Sequence, residues 1–78
     1  SNKSIYVEFQ QEVSGSVLKK IKGVDSVDPY QKGWLLQGPS LEDIKINVSQ
    51  LVQEKNWVLM TIKTESKSLA EIFKDLTL

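Results

Sequence analysis

The chain has no cysteine, no histidine and no arginine; its ten basic residues are all lysine. Without cysteine there are no disulfide staples and no thiolate metal site. A domain of 78 residues must then hold itself together by packing alone, which favours regular, layered secondary structure. Without histidine the commonest general base and the commonest metal ligand are both missing. Without arginine the chain lacks the bidentate fork that grips phosphate and guanine. The ten lysines are balanced by ten acidic residues to a formal charge of zero. Nucleic-acid affinity rests largely on neutralising phosphates, so this balance argues against such a partner. No apolar run approaches the roughly 20 residues needed to span a bilayer, and no signal-peptide pattern is present.

What is there alternates between two periodicities. Ile5, Val7 and Phe9 alternate with Tyr6, Glu8 and Gln10, which predicts a first strand over about residues 4–12. Val17, Leu18 and Ile21 share a helical face, and Gly23 is expected as the C′ residue of that short helix. Val24 to about Tyr30 reads as a second strand, with Pro29 pointing to an edge position or a bulge. Lys32-Gly33 is expected as a hairpin turn into a third strand, Trp34–Gln37, which Gly38-Pro39 breaks. Ser40 opens the main helix as its cap, with Glu42 and Asp43 in the first turn and Asn56 as a left-handed stop. Ile44, Val48, Leu51 and Val52 form its apolar stripe. Trp57–Thr64 reads as a fourth strand, with Val58, Met60 and Ile62 on one side and Trp57, Leu59 and Thr61 on the other. Two apolar sides suggest a central strand or one covered on both faces. Ser68 and Glu71 stand at capping-box spacing. Leu69, Ile72, Phe73 and Leu76 follow as one apolar stripe, predicting a last short helix that must dock on its own domain or on a partner.

The expected architecture is α+β, a ferredoxin-like βαββαβ with a four-stranded antiparallel sheet and an added C-terminal helix. Residues 1–3 read as a tag remnant and N-terminal lead-in, because Ser1-Asn2 looks like the scar of a cleaved tag. Residues 4–78 read as a single domain excised from a longer protein.

Chemistry is sparse. Gly15, Gly23, Gly33 and Gly38 fit neither G-x-x-x-x-G-K-[ST] nor G-x-G-x-x-G. The acid pairs Asp25/Asp28 and Glu42/Asp43 are read as strand-end charge and helix-dipole complements. Ser14, Ser16, Ser40 and Ser68 are read as caps and turn residues, since no base stands ready to activate them. No catalytic, cofactor-binding or metal-ligating residue is therefore expected. Two alternatives come from the strands. Ile5-Tyr6-Val7 and Lys32-Gly33-Trp34 resemble parts of the RNA-recognition motifs, and would set Tyr6 and Trp34 side by side on the open sheet face. Leu36 and Pro39, however, occupy positions where that pattern wants aromatics. The step Leu18-x-x-Ile21-x-Gly23-Val24-x-x-Val27 occurs in metal-chaperone and ACT-type domains. The loop Val13–Ser16 carries no Cys-x-x-Cys, which leaves the ACT-like, small-ligand regulatory version.

Three segments taken together carry a more specific likeness: Ile21-x-Gly23-Val24-x-x-Val27, Glu42-Asp43-Ile44-Lys45 with Glu54-Lys55-Asn56-Trp57, and Ser68-Leu69-x-x-Ile72-Phe73-x-x-Leu76-Thr77. They resemble the C-terminal accessory domain of bacterial ABC-transporter ATP-binding subunits of the gliding-motility-associated or multidrug-exporter type. The resemblance covers residues 4–78. Ala70, Lys45 and Asn56 depart from the usual acidic residue, arginine and glycine. It implies a non-catalytic regulatory or interaction domain, with ATP and magnesium handled by the parent protein upstream. The implied partners are that nucleotide-binding domain, the permease subunit and a second copy in a homodimer. The implied location is cytoplasmic, peripheral to the inner membrane. Leu69, Ile72, Phe73 and Leu76 would be the partner-facing or domain-sealing residues.

Overall fold

In the computed structural model residues 3–66, 73 and 74 are described. The chain runs β1 (Ser4–Phe9), α1 (Gly15–Lys19), β2 (Ser26–Tyr30), β3 (Gly33–Gln37), α2 (Leu41–Lys55) and β4 (Leu59–Glu65). The strands form one four-stranded sheet in the order β2-β3-β1-β4, with antiparallel neighbours throughout. Leu18 of α1 and Ile44 and Val48 of α2 share one core with Ile5, Val7 and Leu36, so both helices cover the same sheet face. This is an α+β arrangement compatible with the ferredoxin-like class. No helix among the described residues is long and apolar enough to cross a membrane.

Alternation places Ile5 and Val7 inward on β1, and both are fully buried. Each such side chain contributes roughly 1.5–3 kcal/mol on burial, which is how a chain without cross-links holds its sheet to its helices. The main helix follows its sequence signals closely. Ser40 Oγ accepts from the Asp43 backbone N–H at 3.2 Å, and Glu42 and Asp43 occupy the first turn. At the other end Asn56 is left-handed, with φ 55°. Its N–H reaches the Gln53 carbonyl and that of Trp57 reaches the Val52 carbonyl, closing a Schellman pair. Asn47 Nδ2 donates to the Lys22 carbonyl at 2.7 Å and ties α2 to the turn that follows α1.

Several boundaries differ from the sequence expectation. β1 stops at Phe9 instead of continuing to residue 12. Past that point the Gln10 N–H still donates across, to the Val58 carbonyl, and the Val13 carbonyl is taken by the Trp34 indole N–H at 3.0 Å. α1 is capped at Lys20, so Gly23 is not its C′ residue. Gly23 instead takes φ 91° in the turn that delivers Val24 to the core. In the β2–β3 hairpin Tyr30 pairs with Gly33, leaving Gln31-Lys32 as the loop. The left-handed residue there is Gln31 at φ 52°, and Gly33 belongs to the strand. Gly33 is small because β1 leaves no room: a Cβ there would lie 1.9 Å from the Val7 carbonyl oxygen.

β4 is an edge strand, not a central one, and among the described residues it pairs only with β1. Its pairing slips between Glu8 and Phe9: Glu8 faces Thr61, while Phe9 faces Leu59. Met60 is therefore the extra residue of a β-bulge. The bulge breaks strict alternation. Leu59 and Ile62 both pack against the core, while Met60 is 58% exposed. The last predicted helix falls mostly outside the described residues; Phe73 and Lys74 alone are described there, with helical backbone.

Candidate interaction surface

The face of the sheet turned away from the helices carries a second cluster. Tyr6 pairs with Leu35 across β1 and β3, and these two residues are buried together with Tyr30 packed against them. The Tyr6 and Tyr30 rings meet edge to face at 5.8 Å. Tyr6 Oη donates to Glu8 Oε2 at 2.9 Å. Lys63, opposite Tyr6 on β4, sets its ammonium 5.7 Å from the centre of the same ring. Burial, followed by the Glu8 carboxylate, pushes the Tyr6 phenol above its ordinary value.

Trp34 is not part of this surface. It pairs with Val7 and packs against the helix-side core, so Tyr6 and Trp34 do not stand side by side. Adjacent residues of a strand point to opposite faces, and the register puts Tyr6 beside Leu35. The aromatic neighbour that Tyr6 does have is Tyr30, which the sequence reading did not single out. The signal for it was available: a two-residue loop at 31–32 fixes Tyr30 opposite Gly33, two positions from Leu35. Trp57 is also a core-side residue and meets Phe9 edge to face at 5.3 Å.

Around the end of β1 a broad cleft of about 710 Å³ opens between residues 10–14 and the β2–β3 hairpin. Its wall includes Gln10, Glu12, Ser14, Lys32 and Trp34. The Trp34 ring is fixed there by its bond to the Val13 carbonyl and by close approach to Gly15, where a Cβ would lie 2.9 Å from the ring. Gln11 turns its side chain to accept from the Val58 N–H at 3.0 Å.

The remaining sequence candidates occupy structural positions. Ser40 is the α2 cap. Ser14 stands at the start of α1 without a side-chain cap bond; its Oγ instead meets Ser16 Oγ at 3.1 Å. The Asp25 N–H donates to the Gln37 carbonyl at 2.7 Å, and Lys19 Nζ donates to the Asp25 carbonyl. Among the described residues no three acidic side chains gather into a metal-binding group. Of the closing stripe, Phe73 is described and is 60% exposed; Leu69, Ile72 and Leu76 lie outside the described residues. Comparison with protein-family models, with curated proteins and with solved structures finds no match for this chain.

Proposed function

We propose that this chain is a non-catalytic regulatory or interaction domain of an ABC-transporter ATP-binding protein whose parent couples ATP hydrolysis to membrane export. The observation that carries the reading is the three-segment sequence pattern from Ile21 to Thr77. The pattern's described residues sit at the joints of the domain, which supports it. Gly23 makes the turn into β2, Asp43 closes the Ser40 cap, and Asn56 ends α2. The finer architecture, a ferredoxin-like βαββαβ with an added C-terminal helix, belongs to the same proposal.

The four glycines of this chain fit neither spacing of a phosphate-binding loop, which supports placing ATP and magnesium elsewhere in the parent. The nucleotide chemistry is assigned to the upstream domain of the parent, and the partners are that domain, a permease and a second copy. Two measurements test this. The isolated chain should hydrolyse ATP no faster than a buffer blank, and turnover above background contradicts the non-catalytic assignment. The coding sequence upstream should specify a Walker A loop and an ABC signature; a different upstream domain overturns the parentage.

The cleft beside Trp34 favours one other reading, an ACT-like module that senses a small polar ligand. Its volume lies in the range of small-molecule sites. Titrating amino acids while following Trp34 emission and the gel-filtration mass separates the two. Saturable change supports the ligand module, and a flat response leaves the accessory-domain reading in place. The paired platform that the RNA-recognition alternative needs is not formed, because Tyr6 is buried and Trp34 packs against the helix-side core.

A further inference from the structure

At one end of the sheet β1 and the β2–β3 hairpin part company. β1 stops at Phe9, the hairpin turns at Gln31-Lys32, and the cleft of about 710 Å³ opens between them. The apolar part of its lining is fixed in advance. Phe9, Val13 and Trp34 all pack against the helix-side core. The Trp34 ring is held by its bond to the Val13 carbonyl and by Gly15, where a Cβ would come within 2.9 Å of it. A cleft of this size with its lining already in place is the usual setting for a small molecule.

Several polar side chains around the cleft are spent on the protein itself. Gln11 Oε1 accepts from the Val58 N–H, Ser14 Oγ meets Ser16 Oγ, and Gln31 Nε2 donates to the Tyr30 hydroxyl. Left over are one carboxylate, Glu12, one ammonium, Lys32, and the Gln10 amide. Among the described residues none of these three side chains has a hydrogen-bond or ion-pair partner. Glu12 belongs to the loop after β1 and Lys32 to the hairpin, so the two charges stand on the two sides of the cleft. A simple anion drawn to Lys32 is repelled by Glu12, and a simple cation meets the reverse. A molecule that carries one charge of each sign complements both sides.

We propose that the cleft binds a free α-amino acid with an apolar side chain. Its carboxylate meets Lys32, its ammonium meets Glu12, and its side chain lies against Phe9, Val13 and Trp34. The Gln10 amide can donate to the carboxylate or accept from the ammonium. Such a ligand presupposes the second reading above, a small-ligand site in this cleft, and is independent of the transporter parentage.

The test uses the 78-residue chain, calorimetric titration, and three probes that differ only in charge. L-leucine carries both charges, N-acetyl-L-leucine lacks the ammonium, and L-leucinamide lacks the carboxylate. The chain should bind L-leucine about 10-fold more tightly than either of the others, the scale of one hydrogen bond to a charged group. Glu12→Gln should weaken L-leucine about 10-fold and leave N-acetyl-L-leucine unchanged. Lys32→Gln should weaken L-leucine by a similar factor and leave L-leucinamide unchanged. This crossed pattern ties each charge of the ligand to one side of the cleft, which a general loss of structure cannot do. Both substitutions lie on exposed side chains, and native Trp34 and Trp57 emission checks the fold. Equal binding of all three probes, or L-leucine binding that both variants leave unchanged, overturns the proposal while leaving a small-ligand site standing. No saturable heat with L-leucine or L-phenylalanine at millimolar concentration overturns the proposal and the small-ligand reading together, and the accessory-domain reading survives.

Discussion

Two glycines of this chain are required for different reasons, and substitution separates them. At Gly38 a Cβ would lie 1.9 Å from the Gly23 carbonyl oxygen, so alanine forces backbone apart at the junction of β3 and α2. At Gly23 there is open space, but φ is 91°, so alanine there meets only conformational strain of about 1–2 kcal/mol. Overpacking against fixed backbone costs about 1–3 kcal/mol or more. Urea unfolding should therefore rank Gly38→Ala below Gly23→Ala in stability; the reverse order would mean that the contact relaxes freely. Tyr6 gives a pH signature. Its folded phenol binds its proton more tightly than a free tyrosine, so its contribution is fully present below the unfolded value near pH 10. As pH rises from there through the higher folded value, the folded state lags in losing the proton and stability falls. Tyr6→Phe should flatten that alkaline loss while costing about 1 kcal/mol at neutral pH for the lost Glu8 bond. Phe73→Ala should cost less than about 1 kcal/mol, because the ring is 60% exposed. A loss of the size seen for buried phenylalanines would contradict that geometry.

At the scale of elements, the ends of α2 were more legible than strand boundaries. Ser40, Asp43 and Asn56 announced both ends of α2 because capping is local: the partners lie within a turn of each other. Ser40→Ala should lower stability by about 1 kcal/mol in thermal unfolding, with Ser40→Gly costing only a few tenths. Strands carry no such local mark. Pro29 pointed to an edge position or a bulge for β2, and the sheet order places β2 at an edge, since proline's missing N–H is a property of one residue. β4 was misjudged because its phase depends on a bulge opposite Glu8 and Phe9. Nothing in Leu59-Met60-Thr61-Ile62 alone says that Leu59 and Ile62 share a face. The Tyr6–Trp34 pairing failed for a related reason. Each residue's strand was recognised, but register between strands is set by tertiary pairing, and a shift of one position exchanges faces. The apolar stripe of α2 was read correctly at Ile44 and Val48, which are the buried ones, with Leu51 and Val52 partly buried beside them.

At the scale of the whole molecule, stability rests on a small number of shared side chains. Leu36 lies on β3 between β2 and β1, opposite Val27 on one side and Ile5 on the other, and it is fully buried. Leu36→Ala should cost about 2–5 kcal/mol, a large part of the 5–15 kcal/mol typical of a domain. Circular dichroism and tryptophan emission should lose their transitions together, because Trp34 and Trp57 pack against that same core. Separate transitions would mean that the sheet and helices unfold as independent units. The arrangement also explains how a chain of 78 residues manages without cross-links. Asn47 joins α2 to the turn after α1, and Gly38 brings the second crossover against the first. The two halves close on each other at several points instead of at one.

The bulge in β4 has a bearing on how the molecule behaves in a crowded solution. A sheet that ends in a straight, apolar strand offers a template on which further copies stack into fibres. Here Met60 is displaced from the ladder where β4 begins, and Lys63 is exposed farther along the same strand. A kinked edge with a charge along it resists being copied. The irregularity that disguised β4 in the sequence thus helps keep concentrated chains from polymerising edge to edge.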